Sequence, residues 1–170
     1  MAAAPQNLTR LDKAIRRLEA QRACLDWAVK EVTAIPGIVV ELGLGNGRSF
    51  DHLRARLPGR EIFVFERSPA AHPASTPAAE RLIIGNLEET LSTARARFAS
   101  KVAFLHSDIG TGDDDRNAHF AEWLGPHILP LLVPGAIVAS DQRLPALDDF
   151  RTQPAGVEPD RYYLYRLPAK

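Results

Sequence analysis

A chain of 170 residues with a formal net charge of zero is long enough to bury its own core and lacks the basic surplus expected of a nucleic-acid binder. Its single cysteine, Cys24, cannot form an internal disulfide and argues against a cysteine-built zinc site. The longest apolar run, from Ile128 to Ala139, contains two prolines and falls short of the roughly 20 residues a membrane helix needs; "MAAAPQNLTR" has no apolar signal core, so a cytoplasmic protein with no membrane partner is expected.

The chain reads as one domain over residues 1–170, with an N-terminal helical segment (1–36) and a core (37–170). In "NLTRLDKAIRRLEAQRACLDWAVKEV", Leu8, Leu11, Ile15, Leu18, Leu25, Val29 and Val32 recur at three-four spacing, interrupted by Arg22. That period predicts a helix, with Asn7 or Thr9 as its cap and Pro36-Gly37 as its stop. The stripe either packs on the domain's own sheet or forms the seam of a homodimer.

After Pro36 the period shortens. "GIVVEL" is a β-rich apolar run of the kind a buried parallel strand needs. "GRSFDHLRARL" then puts Phe50, Leu53 and Leu57 on one helical face. "EIFVFE" and "RLII" are further strands, and "NLEETLSTARARFA" is a helix with Asn86 in the cap position. "KVAFL" is a fourth strand, "DDDRNAHFAEWLGPHIL" a helix up to Gly125-Pro126, and "GAIVA" a fifth strand. "RYYLYRL" alternates and reads as a last, antiparallel or edge strand. Alternating strands and helices predict an α/β fold: an open, mostly parallel Rossmann-like sheet with helices on both faces. One crossover differs. "SPAAHPASTPAAE" carries Pro69, Pro73 and Pro77, which exclude a long helix and leave a surface loop or a lid beside the site.

The loop after the first strand, "VVELGLGNGRSF", holds Gly43, Gly45 and Gly47 at alternate positions. In a doubly wound sheet this loop lies on the ligand-binding edge. A dinucleotide fingerprint would need its third glycine where Arg48 stands, which counts against a NAD-type oxidoreductase. Glu41 precedes the loop and suits a ligand with a cationic group rather than a pyrophosphate. A phosphate-cradling G-x-x-x-x-G-K-[ST] loop is not present.

"VVELGLGNGRS" resembles motif I of the class I S-adenosylmethionine-dependent methyltransferases. Three further matches follow in order: Glu66 closing "IFVFER", about 20 residues past the glycines; Asn86 after the third strand; and "LLVPGAIVASD" at the fifth, with Ala136 where the family usually has glycine. The resemblance spans roughly residues 37 to 142. It implies S-adenosyl-L-methionine as cofactor, with Glu41 near its amino end, Gly43, Gly45, Asn46 and Gly47 wrapped around it, and Ser49 bonding its carboxylate. Glu66 would take both ribose hydroxyls, and Asn86, followed by Leu87, would meet the adenine. A non-catalytic cofactor-binding module is the alternative from another class.

Catalytic candidates are few, because methyl transfer depends mainly on alignment and exclusion of water. Asp108 ends the fourth strand in "AFLHSDIG" and is the catalytic candidate, as a contact to cofactor or substrate; a capping role is the competing reading. Asp141 and Gln142 end the fifth strand. In metal-dependent O-methyltransferases an acid after strand four and an acid-amide pair after strand five bind Mg2+; here Gln142 replaces the usual shorter side chain. The acids of "GDDDRNAH" suit a helix N-terminus. His106, His119 and His127 lack ligand spacing and read as surface or core residues. The acceptor expected is a small molecule, with no element of the sequence identifying it.

Overall fold

The computed structural model describes residues 8–169. In chain order the main elements are α1 (Arg10–Val32), β1 (Ile38–Leu42), α2 (Arg48–Arg56), β2 (Ile62–Glu66), β3 (Leu82–Ile84), α3 (Leu87–Phe98), β4 (Val102–Ser107), α4 (Asp114–Ile128), β5 (Leu132–Ser140), β6 (Arg151–Thr152) and β7 (Tyr163–Arg166). The seven strands form one sheet in the order β3-β2-β1-β4-β5-β7-β6. The first five are parallel, and β7 runs antiparallel to both β5 and β6. This is the Rossmann-like α/β architecture that the alternating pattern predicts.

Successive strand residues point to opposite faces, so each strand feeds two cores. Val39, Val64, Phe104 and Ile137 pack with α1 and α2, through Cys24, Ala28, Phe50 and Leu53. Val40, Phe65, Leu105 and Val138 pack with α3 and α4, through Leu91, Phe98, Leu124 and Ile128. Burial of the central strands on both faces explains why they read as continuous apolar runs.

Three details differ from the sequence expectation. First, α1 meets the sheet through a face of Ala20, Gln21, Cys24, Leu25, Ala28 and Val32. Small residues let the helix approach closely, so Leu11, Ile15 and Leu18 are left 68%, 46% and 37% exposed. Thr9 caps this helix with Asp12 in a reciprocal pair of bonds; Asn7, the other cap candidate, lies outside the described residues. Second, α4 runs through Pro126 to Ile128. One proline near a helix end removes a single backbone donor, and the chain tightens at once into a 3-10 turn. Third, "RYYLYRL" is the last strand and antiparallel, as one of its two readings has it, but it is not at the edge. Its partner β6 lies outside it and is only two residues long, too short to leave a period in the sequence.

The proline-rich crossover is neither a helix nor an open loop. It makes two 3-10 turns, Pro73–Ser75 and Ala79–Arg81. Arg54 of α2 donates to the Ala74 carbonyl at 2.6 Å and holds the first turn against the helix.

Candidate functional site

The strand order reverses between β1 and β4, so their carboxyl ends bound the crevice where ligands of this architecture sit. Gly43 leaves β1 there and Asp108 leaves β4. The three glycines answer three different constraints. A Cβ on Gly43 would lie 2.8 Å from the Asp108 carbonyl oxygen, so the two strand ends meet only without a side chain. A Cβ on Gly47 would collide with the carbonyl of Ser75 in the proline-rich crossover, which is seated directly on the loop. Gly45 has φ +50° and nothing within 4 Å of where its Cβ would be. Its exposed backbone faces open space on the cavity wall.

Glu66, at the end of β2, ties this loop down. Its Oε2 accepts the backbone N–H of Leu44 at 2.8 Å and of Gly45 at 3.1 Å, and its Oε1 accepts that of Ser68 at 2.8 Å. Burial alone would raise its pKa. The N–H groups of Ser68, Gly45, Leu44 and Arg67 outweigh that effect and hold the carboxyl below its ordinary value. Glu66 is therefore an ionised acceptor at neutral pH, with lone pairs left for a ligand.

A cavity of about 720 Å³ opens beside these residues. Gly43, Gly45, Glu66, Asn86, Leu87 and Asp108 all line it, together with Arg116, His119 and Phe120 of α4 and Gln142 and Leu144 after β5. Asn86 occupies the N-cap position of α3 without making a side-chain cap bond, so its amide is not spent on the helix. Glu41, Asn46, Gly47 and Ser49 are not on this wall. Ser49 donates its hydroxyl to Glu41 Oε1, which leaves no hydrogen for a ligand carboxylate in that rotamer.

Glu41 is fully buried, and its Oε2 has no hydrogen-bond partner. Its Oε1 also meets His106 Nδ1 at 3.1 Å. From His106 a chain of side chains leads through Tyr162 and Gln21 to Asp108. Gln21 and Tyr162 were not among the sequence candidates. They come from α1 and the segment before β7, and no spacing links them to the glycine loop. His106 is fully buried, on the core side of the two readings open for it.

The metal reading finds no support in the donor set. Asp141 Oδ2 accepts the Gly110 N–H at 2.8 Å and the Gln142 amide at 3.2 Å, and its Oδ1 accepts Ile109 N–H at 3.4 Å. Burial, and then the neighbouring Asp108 charge, push the Asp141 carboxyl above its ordinary value. Among the described residues no three His, Cys, Asp or Glu side chains gather for a metal ion. Among them, too, no helix is long and apolar enough to cross a membrane.

An adenosyl cofactor fits the residues present. Open space beside Gly45, an ionised carboxylate at the end of β2, an uncommitted amide at the start of α3 and an unpartnered oxygen on Glu41 are the features such a molecule requires. Fold and site together define a Rossmann-like methyltransferase. The comparisons with known proteins agree: residues 8–167 match the family described as S-adenosyl-L-methionine methyltransferase, and the chain belongs to that family. It is similar to an S-adenosyl-L-methionine methyl transferase from Silicibacter pomeroyi, at 40% identity over 94% of this chain and 99% of that one, with a TM-score of 0.88. Human methyltransferase-like protein 13, solved with SAH, shares the fold at 12% identity, 96% and 83% coverage and a TM-score of 0.56. A release-factor-specific protein-(glutamine-N5) methyltransferase from Alicyclobacillus acidocaldarius does so at 15% identity, 99% coverage of each chain and a TM-score of 0.56. No curated protein matches the chain. The sequence expectation of an S-adenosylmethionine-dependent methyltransferase is thus met, and the NAD alternative falls away.

Proposed function

We propose that this methyltransferase, a single domain acting in the cytoplasm, methylates a small-molecule acceptor held between the cofactor and α4. The carrying observation is the cavity itself: Glu66, Asn86, Asp108 and residues of α4 line one volume of about 720 Å³, within the usual ~300–1,000 Å³ of small-molecule sites. The lone cysteine, buried and unbridged, supports a reducing compartment.

When bound, S-adenosyl-L-methionine supplies a sulfonium methyl group open to in-line displacement. The chain's residues bind and orient. Glu66 accepts the ribose hydroxyls while its other lone pairs keep Leu44 and Gly45 in place. Asn86 offers its amide oxygen to the adenine amino group, and Leu87 packs against the ring. Gly45 lets the cofactor lie against backbone, and Asn46 and Gly47 complete the turn. Glu41 lies buried with an unpartnered Oε2, a negative group that favours the cationic end of the cofactor. Ser49 contributes by holding Glu41. Asp108, on the cavity lining, takes a proton where the attacking atom must lose one.

The test is methyl transfer from radiolabelled S-adenosyl-L-methionine into a cell extract split by size. Label in the small-molecule fraction is expected. Label confined to protein or nucleic acid contradicts the acceptor class.

A further inference from the structure

Gln21, His106 and Tyr162 make none of the proposed cofactor contacts, and none lines the cavity. Yet these polar side chains are 8%, 0% and 4% exposed, and such groups are costly to bury unless each finds a partner. One direction of donation satisfies every link. Gln21 Nε2 lies 2.8 Å from Asp108 Oδ2 and 3.3 Å from the Tyr162 hydroxyl, and its two hydrogens serve both. The Tyr162 hydroxyl already accepts one hydrogen and has one to give. His106 Nε2, at 2.6 Å, receives it. Burial first, then the charges of Asp108 and Asp141, hold this phenol well above its ordinary pKa, so the hydrogen stays on it. A His106 that accepts at Nε2 is neutral and carries its proton on Nδ1. Nδ1 then donates to Glu41 Oε1 at 3.1 Å.

We infer that Gln21 is the positioning residue for the Asp108 carboxylate, and that Tyr162 and His106 couple it to Glu41 beneath the glycine loop. A ligand settling on that loop is thereby felt at Asp108. This rests on the cofactor reading of the loop given above. The coupling is physical: Ser49, in the first turn of the helix that follows the loop, donates to the same Glu41 Oε1 that meets His106, so a shift of the loop changes that acceptor, and each bond in a low-dielectric chain polarises the next. Arg17, 3.7 Å from Asp108 Oδ1, adds a second contact from the same helix, so α1 forms part of the site.

The test uses SAH and the side-chain amides of nitrogen-labelled glutamine. The chain has glutamine at positions 6, 21, 142 and 153, and Gln21→Met assigns the Gln21 signal by its loss. In the wild type, SAH should move both Gln21 and Gln142, the latter by direct contact across the cavity. In Tyr162→Phe, SAH should still bind and move Gln142, while Gln21 no longer responds. Equal movement of Gln21 in both proteins, or in neither while SAH binds, overturns the coupling. If Tyr162→Phe does not fold, the nitrogen-labelled histidine spectrum of the wild type decides. A neutral His106 protonated at Nδ1 is expected, and any other form overturns the chain. Failure of SAH to bind the wild type in calorimetry is a separate result: it overturns the cofactor reading and the coupling with it.

Discussion

Glu66 Oε2 accepts the Gly45 backbone N–H at 3.1 Å, a bond between the end of β2 and the tip of the loop that follows β1. One carboxylate thus shapes the loop and stands ready for the ligand. Glu66→Ala should weaken SAH binding by at least roughly 1.5–3 kcal/mol, the contribution of one hydrogen bond to a charged group. Titration calorimetry measures this directly, and unchanged affinity would remove Glu66 from the ribose.

The same residue sets a pH dependence. Its folded pKa is depressed, so its contribution to stability is present above the unfolded value of about 4.3. That contribution is lost as pH falls through the lower folded value. The difference in urea midpoint between wild type and Glu66→Gln should therefore be largest near neutral pH and shrink below about pH 4. A difference that grows on acidification would contradict the bonding described.

Gly45→Ala and Gly47→Ala should fail in different ways. Both positions have positive φ, which costs a non-glycine residue about 1–2 kcal/mol. Gly47 also meets Ser75 at once, so Gly47→Ala should lose the more stability and displace the proline-rich turn. Gly45→Ala meets no protein atom, and its larger effect should be on SAH affinity. Denaturant midpoints and calorimetry on the two variants separate these outcomes.

Asp141 is raised by burial and by Asp108. A raised acid favours the folded state below its unfolded pKa, and that advantage fades as pH rises through the folded value. Asp141→Asn removes this loss and keeps a carbonyl oxygen for the Gly110 N–H. The variant should match or exceed wild-type stability at pH 7 and show a flatter profile between the unfolded value and neutrality. A marked loss at pH 7 would mean that the charge itself holds the β4 loop.

Cys24 is fully buried, and burial pushes its thiol up to about 12. Thiol reagents at pH 8 should label it only as fast as the fold opens. Rapid labelling of the native protein would contradict the packing of α1 on the sheet.

The five parallel strands were legible because burial on both faces leaves short, unbroken apolar runs. The glycine loop with Glu66 and Asn86 was legible because backbone approach and strand-end placement demand particular residues at particular intervals. Of the α1 stripe, Leu25 and Val32 pack on the sheet and Leu11, Ile15 and Leu18 do not; Ala20, Cys24 and Ala28 complete the contact. Close packing selects small residues, which carry little hydropathy signal. β6 is two residues long and holds no period. Gln21 reaches Asp108, and Tyr162 reaches Gln21, from distant parts of the chain, and only the folded topology brings them together.

The measurement that bears most directly on the assignment is denaturant stability with SAH and, separately, with NAD. At about 100 times its dissociation constant a ligand of the native state adds about 2.7 kcal/mol. SAH should stabilise the wild type, with the gain reduced in Glu66→Ala, and NAD should leave both unchanged. Stabilisation by NAD with none by SAH would contradict the account.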